Sequence, residues 1–278
     1  MRPPIFKILI VLIVILSAAQ IRAQEKLKGN KIVVTEDRAI YDFNKIAVND
    51  NIDLILTQGR ESSVSIETDE NLQAAVITEI RDSTLIISLA QKISRKKALI
   101  AHVTVDGNFN ELTSKDKADV EGSGSLNLNG SFILNAEGNS KVTLTFQSGA
   151  FYLNNNESAN LNLNVKSGEA YLRSNKTGRA KINISANSIE IIGQGSSVID
   201  VQGTSEECQF KAENRSTIRA EELESNEAVV SASDNSNINV NATKDLWITA
   251  INNSEINIYN NPVITIDKFA DKAVLRKK

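Results

Sequence analysis

Three acidic residues that lie close together in the chain are the first candidates for chemistry. Asp116, Asp119 and Glu121 form the densest acidic group at the start of a repeated region. Glycoside hydrolysis needs two carboxyl groups beside the scissile bond, and Ca²⁺ is bound by carboxylate oxygens. If equivalent positions of successive repeats stack, Asp119 lies beside Lys141 and then Asn160. This predicts an ion pair and a polar ladder, which differs from the acidic cleft of a polysaccharide-cleaving enzyme.

Aromatic side chains, which present a flat apolar surface to sugar rings, are sparse in this sequence. The candidates for a glycan contact are Trp247, Tyr152, Tyr171 and Tyr259. Trp247 precedes the apolar position Ile248, so a strand at this point directs the tryptophan outward. If several of these side chains line one face, they form a candidate glycan site. Core packing or scattered surface placement is the alternative.

The single histidine and the single cysteine show no catalytic pattern. His102 lies in an alternating stretch typical of a strand, and we expect it to face solvent. A thiol nucleophile needs a basic partner that lowers its pKa, whereas Cys208 follows two glutamates. We therefore expect Cys208 to be a small packed apolar residue. The sequence predicts no catalytic residue, no metal ligand and no cofactor site, and hence a non-enzymatic protein.

The repeated region is the strongest structural signal in the chain. A small residue, one spacer and a branched aliphatic recur eight times between about Leu112 and Ile266. A period near twenty is typical of a solenoid, in which each repeat covers the apolar face of its neighbour. The eight pairs are Ala118-Val120, Ser140-Val142, Ala159-Leu161, Ala180-Ile182, Ser196-Val198, Ser216-Ile218, Ser236-Ile238 and Ser254-Ile256, with small residues 22, 19, 21, 16, 20, 20 and 18 apart.

The repeats have the period of β-strands. Apolar and polar residues alternate strictly over 141–146 and 160–165, and Asn, Ser and Gly fill the corners between strands. Repeats of variable length favour a right-handed parallel β-helix over a left-handed one, which has a rigid hexapeptide period. A propeller needs roughly 40 residues per blade.

These patterns divide the chain into four parts. Residues 109–266 are predicted to form a right-handed parallel β-helix of about eight rungs, and 267–278 a charged C-terminal tail. Residues 24–108 contain shorter strand patterns. We expect them to form a β-rich N-terminal portion that caps the solenoid, because a bare end exposes apolar surface and unpaired strand edges.

Residues 1–23 have the pattern of a signal peptide. A basic start is followed by nine apolar residues, 8–16, and by small residues that predict cleavage near Ala19 or Ala23. The apolar run is shorter than the roughly 20 residues of a membrane span, so no transmembrane segment is expected after cleavage; a retained N-terminal anchor is the alternative. The protein is therefore expected to be exported, either to the periplasm or to the outer cell surface.

The net charge limits the classes of binding partner that the protein is expected to have. Residues 1–23 hold three of the 31 basic residues and none of the 34 acidic ones, which leaves a mature net charge of −6. This argues against nucleic acid, whose binding proteins cluster Lys and Arg. The one basic cluster is Lys92, Arg95, Lys96 and Lys97. It is interpreted as a solvated loop, with contact to anionic glycans or lipid headgroups as the alternative.

The N-terminal half carries a resemblance to a known family. Four segments support it: 43–48 (Phe-Asn-Lys-Ile-Ala-Val), 52–59 (Ile-Asp-Leu-Ile-Leu-Thr-Gln-Gly), 64–72 and 82–87. Together with the later repeats, they resemble the auto-transporter adhesin, head GIN domain family of Bacteroidetes-type bacteria. The resemblance implies an exported β-helix preceded by a β-rich portion. The family name implies adhesion, but it assigns no catalytic or binding residues.

Three functions remain open at this point. The first is a non-enzymatic, adhesin-like binding or structural module of the cell envelope, with a glycan or an envelope or host protein as partner. The second is a polysaccharide-acting β-helix enzyme that uses Asp116, Asp119 and Glu121. The third is an envelope scaffold that self-associates end to end. The sequence leaves the oligomeric state open.

Overall fold

The structure, a computed structural model, describes residues 26–278, so the predicted signal peptide lies outside the described residues. The described chain is all-β apart from one short 3-10 helix, Glu70–Ala75. No helix in this part of the chain has the length and apolar character needed to cross a membrane. The strands are β1 (Leu27–Lys28), β2 (Val33–Asp37), β3 (Lys45–Val48), β4 (Asp53–Gln58), β5 (Ser63–Asp69), β6 (Val76–Arg81), β7 (Thr84–Leu89), β8 (Ile93–Arg95), β9 (Leu99–Val105), β10 (Glu111–Ser114), β11 (Asp119–Asn127), β12 (Phe132–Ala136), β13 (Lys141–Asn155), β14 (Asn160–Ser174), β15 (Arg179–Ser185), β16 (Ser188–Gly193), β17 (Val198–Ala212), β18 (Thr217–Ala232), β19 (Asn237–Ala250), β20 (Glu255–Tyr259), β21 (Val263–Phe269) and β22 (Val274–Lys277).

From residue 111 onward the strands form a β-solenoid with two parallel faces. Each coil consists of a face B segment, a tight turn and a face A segment, and a wider corner then leads to the next coil. The face B segments are 111–114, 132–136, 150–155, 169–174, 188–193, 207–212, 227–232, 245–250 and 263–269. The face A segments are 119–127, 141–147, 160–166, 179–185, 198–204, 217–224, 237–241, 255–259 and 274–277.

The predicted all-β solenoid is confirmed, but its predicted C-terminal boundary is wrong. Strand β21 pairs in parallel with β19, and β22 pairs in parallel with β20, so residues 267–277 complete a ninth coil and are not a tail. Leu275 packs against the core while the neighbouring charged side chains are exposed. Because most residues of this segment are charged, the sequence pattern did not indicate a strand, although its inward residue, Leu275, is apolar. The right-handed sense of the coil stays a prediction.

The spacing of the repeat is more regular in the structure than in the sequence pattern. In the first eight coils, the small residue before each face A segment accepts a hydrogen bond, through its backbone carbonyl, from the next coil. This register corrects two of the eight predicted small residues: Gly178 replaces Ala180 and Ser197 replaces Ser196. The anchor residues are Ala118, Ser140, Ala159, Gly178, Ser197, Ser216, Ser236, Ser254 and Ala273, spaced 22, 19, 19, 19, 19, 20, 18 and 19 apart.

Small side chains are required at the anchors because the tight turn brings the two faces close together. In the first eight coils, the anchor and the last residue of the preceding face B segment both point into this narrow corner and are buried. Where the anchor is serine, its hydroxyl can bind a backbone carbonyl across the corner: Ser216 Oγ donates to Gly193 O at 2.8 Å, and Ser236 Oγ to Ala212 O at 2.9 Å. Such bonds offset the cost of burying a hydroxyl.

The wide corner opposite the turn is filled by aromatic rings in the first coils. Phe109, Phe132, Phe146 and Phe151 are almost fully buried. The ring of Phe146 lies edge-on to those of Phe132 and Phe151, with centroid distances of 4.9 and 4.8 Å. Narrow and wide corners therefore use side chains of very different volume, and Leu, Ile and Val fill the space between them.

The turns explain the Asn- and Gly-rich corners. Each turn holds at least one residue with positive φ, and Asn, Asp or Gly, which tolerate this conformation, supply the first such residue in seven of the nine turns. The other two, Glu157 and Lys176, occupy adjacent coils and form an ion pair at 3.0 Å. The hydrogen bond and the charge of Lys176 hold the pKa of Glu157 below its usual value. The nine residues are Asp116, Gly138, Glu157, Lys176, Gly195, Asn214, Asp234, Asn252 and Asp271.

The N-terminal portion extends the solenoid and then closes it. Strands β3 and β4 pair in parallel with β10 and β11, while β7 and β9 pair with the other edges of β3 and β4. The coil at 45–58 thus lies between those at 84–105 and 111–127, out of chain order. Beyond it, β5 pairs antiparallel with β9, and β6 with β7. These antiparallel strands cover both edges.

Asp69 holds the capping segments together. Its side chain is fully buried and accepts hydrogen bonds from the backbone amides of Lys97, at 2.6 Å, and Lys31. Burial raises the pKa of Asp69, but these amide hydrogen bonds outweigh burial and lower it below the usual value. A Cβ on Gly29 would lie 2.5 Å from the Asp69 carboxyl carbon, so the chain at this point has room for glycine only.

Gly203 provides a test of the close stacking of coils. It has φ +127°, and a Cβ built on it would lie 1.9 Å from the Ile184 carbonyl oxygen of the preceding coil. We expect Gly203→Ala to destabilise the protein by about 2 kcal/mol or more, because the left-handed backbone and the contact both oppose a side chain. Chemical denaturation followed by circular dichroism measures this.

The matched control is Gly130→Ala. No atom lies within 4 Å of a Cβ built at Gly130, so this variant should stay within about 0.5 kcal/mol of the parent protein. Equal stability of the two variants would contradict the proposed role of Gly203.

Candidate functional site on the outer faces of the solenoid

The predicted acidic group does not converge on one point. Asp119 faces outward on face A in register with Lys141, and its carboxylate lies 3.8 Å from the Lys141 Nζ. The register continues to Asn160, as the repeat pattern predicted. Asp116 lies in the preceding turn, where its Oδ2 accepts a hydrogen bond from the Asp50 amide at 3.2 Å. Glu121 is exposed farther along face A.

Metal binding needs several ligands around one point, and the described residues do not provide them. Among residues 26–278, no three His, Cys, Asp or Glu side chains are grouped so that they could hold a metal ion. The carboxylates instead lie along the surface, where several pair with lysine or arginine of a neighbouring coil. Arg219 and Asp200, 2.8 Å apart, are another such pair.

The four predicted aromatic candidates are partly brought together. Tyr152 and Tyr171 are in register on adjacent coils of face B, and their rings stack with a centroid distance of 5.0 Å and an interplanar angle of 3°. Trp247 lies in the same row four coils further on, about 19 Å from Tyr171 at the usual strand spacing. Tyr259 lies on face A, in register with Asn241.

A groove adjoins the tyrosine pair. It has a volume of about 280 Å³, and its lining includes both tyrosines together with Asn154, Arg173, Glu190 and Ile192. Arg173 and Glu190 were not predicted as site residues. Their signal in the sequence is the strand alternation itself: Glu190 is the register partner of Tyr171, and Arg173 is the next outward residue after it.

The hydroxyl of Tyr171 is held at the edge of the groove. Its Oη lies 3.3 Å from Glu169 Oε2 and donates a hydrogen bond to this carboxylate. The negative charge of Glu169, together with this hydrogen bond, raises the pKa of Tyr171. The phenol is therefore neutral at physiological pH. Arg173 is exposed and Glu190 half-buried, and neither forms an ion pair or a side-chain hydrogen bond with another described residue. The charge of Glu190 also contributes to raising the pKa of Tyr171.

Asparagine ladders run along both faces, as the repeat predicts. On face B, Asn154 Nδ2 donates to Asn135 Oδ1 at 2.9 Å. On face A, Asn257 Nδ2 donates to Asn239 Oδ1 at 3.1 Å, and Asn239 in turn donates to Glu221. The two Asn–Asn bonds join equivalent positions of adjacent coils and hold these outward amides in rows.

The remaining candidates have structural surroundings. His102 faces outward on β9, and its Nε2 lies 2.9 Å from Glu67 Oε2 on the capping strand β5. Cys208 is buried, and burial raises its pKa to about 11 despite hydrogen bonds with Ser205 and Ser225. The thiol is therefore protonated at neutral pH, which agrees with the predicted packing role.

The basic cluster at 92–97 is part of the cap and is more ordered than the predicted loop. Strand β8 within it pairs in parallel with β1. Lys96 Nζ donates to the Asn51 carbonyl at 2.7 Å; partial burial lowers the pKa of Lys96, against the opposing charge of Asp53. The backbone of this segment thus links the two ends of the N-terminal portion.

Comparisons with known proteins agree with this architecture. Two solved structures, a "putative adhesin" from Parabacteroides merdae and a "putative lipid binding protein" from Parabacteroides distasonis, each superpose with a TM-score of 0.67 at 19% identity. They cover 91% of this chain and 99% and 100% of their own chains. At this identity the likeness establishes the fold alone. No curated protein matched the chain.

A family model matches residues 42–262, which span both the capping portion and most of the coils. The match includes the segments 43–48, 52–59, 64–72 and 82–87, on which the resemblance in the sequence rested. The chain belongs to the family described as "Putative auto-transporter adhesin, head GIN domain".

Proposed function

We propose that the protein is a non-catalytic, exported module of the cell envelope that binds its partner through the outer faces of the solenoid. The family description names an adhesin, and the outer faces offer long rows of fixed polar groups. Binding through many repeated contacts suits such a surface, since each weak contact adds to the next.

The observation that carries this proposal is the arrangement of the acidic candidates. A glycosidase needs two carboxyl groups roughly 5 to 10 Å apart on either side of one bond. Asp119 is instead paired with Lys141, and Asp116 is turned into a backbone contact at the corner. Each of these two carboxylates therefore already has a protein partner.

Binding without turnover is the expected outcome of a polysaccharide screen. The purified full chain is incubated with immobilised bacterial and host polysaccharides, and both retained protein and released reducing ends are measured. We expect retention on at least one polysaccharide and no released product above buffer. Product formation that is lost in both Asp119→Asn and Glu121→Gln would establish the enzyme instead and overturn the proposal.

The compartment is a separate part of the proposal. The signal-peptide pattern of 1–23 and the family description both favour export, and we propose the outer cell surface. Protease treatment of intact cells should remove the full-length band while a periplasmic control protein survives. A band that becomes sensitive only after the outer membrane is lysed would place the protein in the periplasm and exclude direct adhesion to other cells.

Self-association is a second candidate function, favoured by the last described coil. Ile264, Ile266 and Phe269 are 42%, 51% and 47% exposed, although the register directs them toward the solenoid axis, and no described strand pairs with the outer edge of β21. The opposite end is covered by antiparallel strands. A second copy that meets this chain end to end, last coil against last coil, would bury these side chains.

This candidate predicts growth in size with concentration. Light scattering on the full chain should show a rising mean mass, and Ile266→Lys should shift the rise to at least tenfold higher concentration by placing a charge in the contact. Val229→Lys is the control, because Val229 is also exposed but points outward from its strand and lies two coils before the last one. A strict monomer at all concentrations excludes the scaffold.

A further inference from the structure

We propose that the groove beside Tyr171 binds one neutral pyranose unit of a glycan. The inference rests on the proposed binding function and names the ligand class and the site. Three features carry it: an exposed aromatic ring, two charged side chains of opposite sign that form no ion pair, and a groove of the size of one sugar ring.

The first feature is the exposed aromatic ring of Tyr171. Its ring is covered on one side by Tyr152, which is parallel to it at 5.0 Å. On the other side the next coil places Glu190 in the same row, so no ring stacks there. The stack of two rings therefore ends at Tyr171, which keeps 39% of its surface exposed. A sugar ring presents a face of C–H groups, which packs on an aromatic face of this kind.

The second feature is the pair of charged groups around that face. Arg173 offers guanidinium donors and Glu190 offers carboxylate acceptors, and both line the groove without an ion pair or side-chain hydrogen bond to another described residue. Neighbouring sugar hydroxyls act as donors and acceptors at once, so a carboxylate and a guanidinium can each bind them with charge-assisted hydrogen bonds. Asn154, the register partner of Arg173 on the preceding coil, adds an amide.

The charges also decide between neutral and charged sugars. The opposite charges of Arg173 and Glu190 cancel, and Glu169 adds a negative charge beside the Tyr171 hydroxyl. An acidic sugar would meet two carboxylates and one guanidinium, and an amino sugar with a free cation would meet Arg173. A neutral sugar avoids both repulsions. Hydroxyl recognition by unpaired charged groups therefore favours a neutral hexose.

The third feature is the size of the groove. Its volume of about 280 Å³ lies just below the ~300 Å³ lower limit for drug-sized ligands. Ile192 supplies an apolar wall beside the polar groups. The groove thus has room for a single ring, while the rest of a glycan would extend over the outer surface of face B.

The test is calorimetric titration of the full chain with neutral hexaoses, namely cellohexaose, mannohexaose and galactohexaose, and with hexagalacturonate as the acidic probe. We expect at least one neutral probe to bind and hexagalacturonate to bind at least tenfold more weakly. Tyr171→Ala should weaken neutral binding at least tenfold by removing the stacking face. Tyr171→Phe keeps the ring and should stay within about threefold of the parent protein.

Two further variants make the result specific. Glu190→Gln removes the carboxylate and should weaken neutral binding at least fivefold, while Tyr259→Ala, on the other face, should leave it unchanged. Circular dichroism confirms folding of each variant. Stronger binding of hexagalacturonate, or unchanged binding by Tyr171→Ala, overturns the site. Retention on the polysaccharide screen that is insensitive to Tyr171→Ala overturns this inference alone and leaves the proposed binding function standing.

Discussion

The narrow corner at the tight turn is the constraint on which the rest of the solenoid depends. Two faces meet there within a few residues, and only Ala, Ser or Gly fits at the anchor positions. The anchor carbonyl also accepts the hydrogen bond that starts the next face A segment. Because a strand shifted by one residue turns its apolar side chains to solvent, a fixed anchor sets the inward and outward assignment of the whole coil.

Fixed register turns single residues into rows. Outward residues that recur about every 19 positions form a row along the solenoid, and neighbouring residues of the row are one strand spacing apart. This is why Asp119 meets Lys141, why Asn135 meets Asn154 and why Tyr152 stacks on Tyr171. Each surface feature of this protein is therefore formed by residues from several adjacent coils. A groove such as the one beside Tyr171 arises where the row changes from aromatic to charged.

The two ends of the solenoid are built by different means. At the N-terminal end, chain reversal gives antiparallel strands, and the buried carboxylate of Asp69 ties the connecting segments together. At the other end, the last parallel coil leaves apolar side chains exposed. A parallel edge can add strands indefinitely, so the difference between these ends bears directly on whether copies associate.

Local alternation and the repeat period determined much of this protein from the sequence alone. They predicted the all-β solenoid, the turn-rich corners, the outward position of Trp247 and the pairing of Asp119 with Lys141, because strand alternation and stacking follow from residue spacing. They misplaced two anchors, since Ala180 is as small as Gly178, and they ended the solenoid at 266. Hydrogen bonding between coils decides the register, and only the register shows that Gly178, and not Ala180, is the anchor.

The tertiary structure alone decided which side chains share a face and which coils are neighbours. Tyr259 and Tyr152 look equivalent in sequence but lie on different faces, because the wide corner reverses the direction of the strand. The position of the coil at 45–58 between 84–105 and 111–127 gives no signal in the local sequence pattern, because it depends on pairing between distant segments. Arg173 and Glu190 become a site only because coil stacking places them beside the ring of Tyr171.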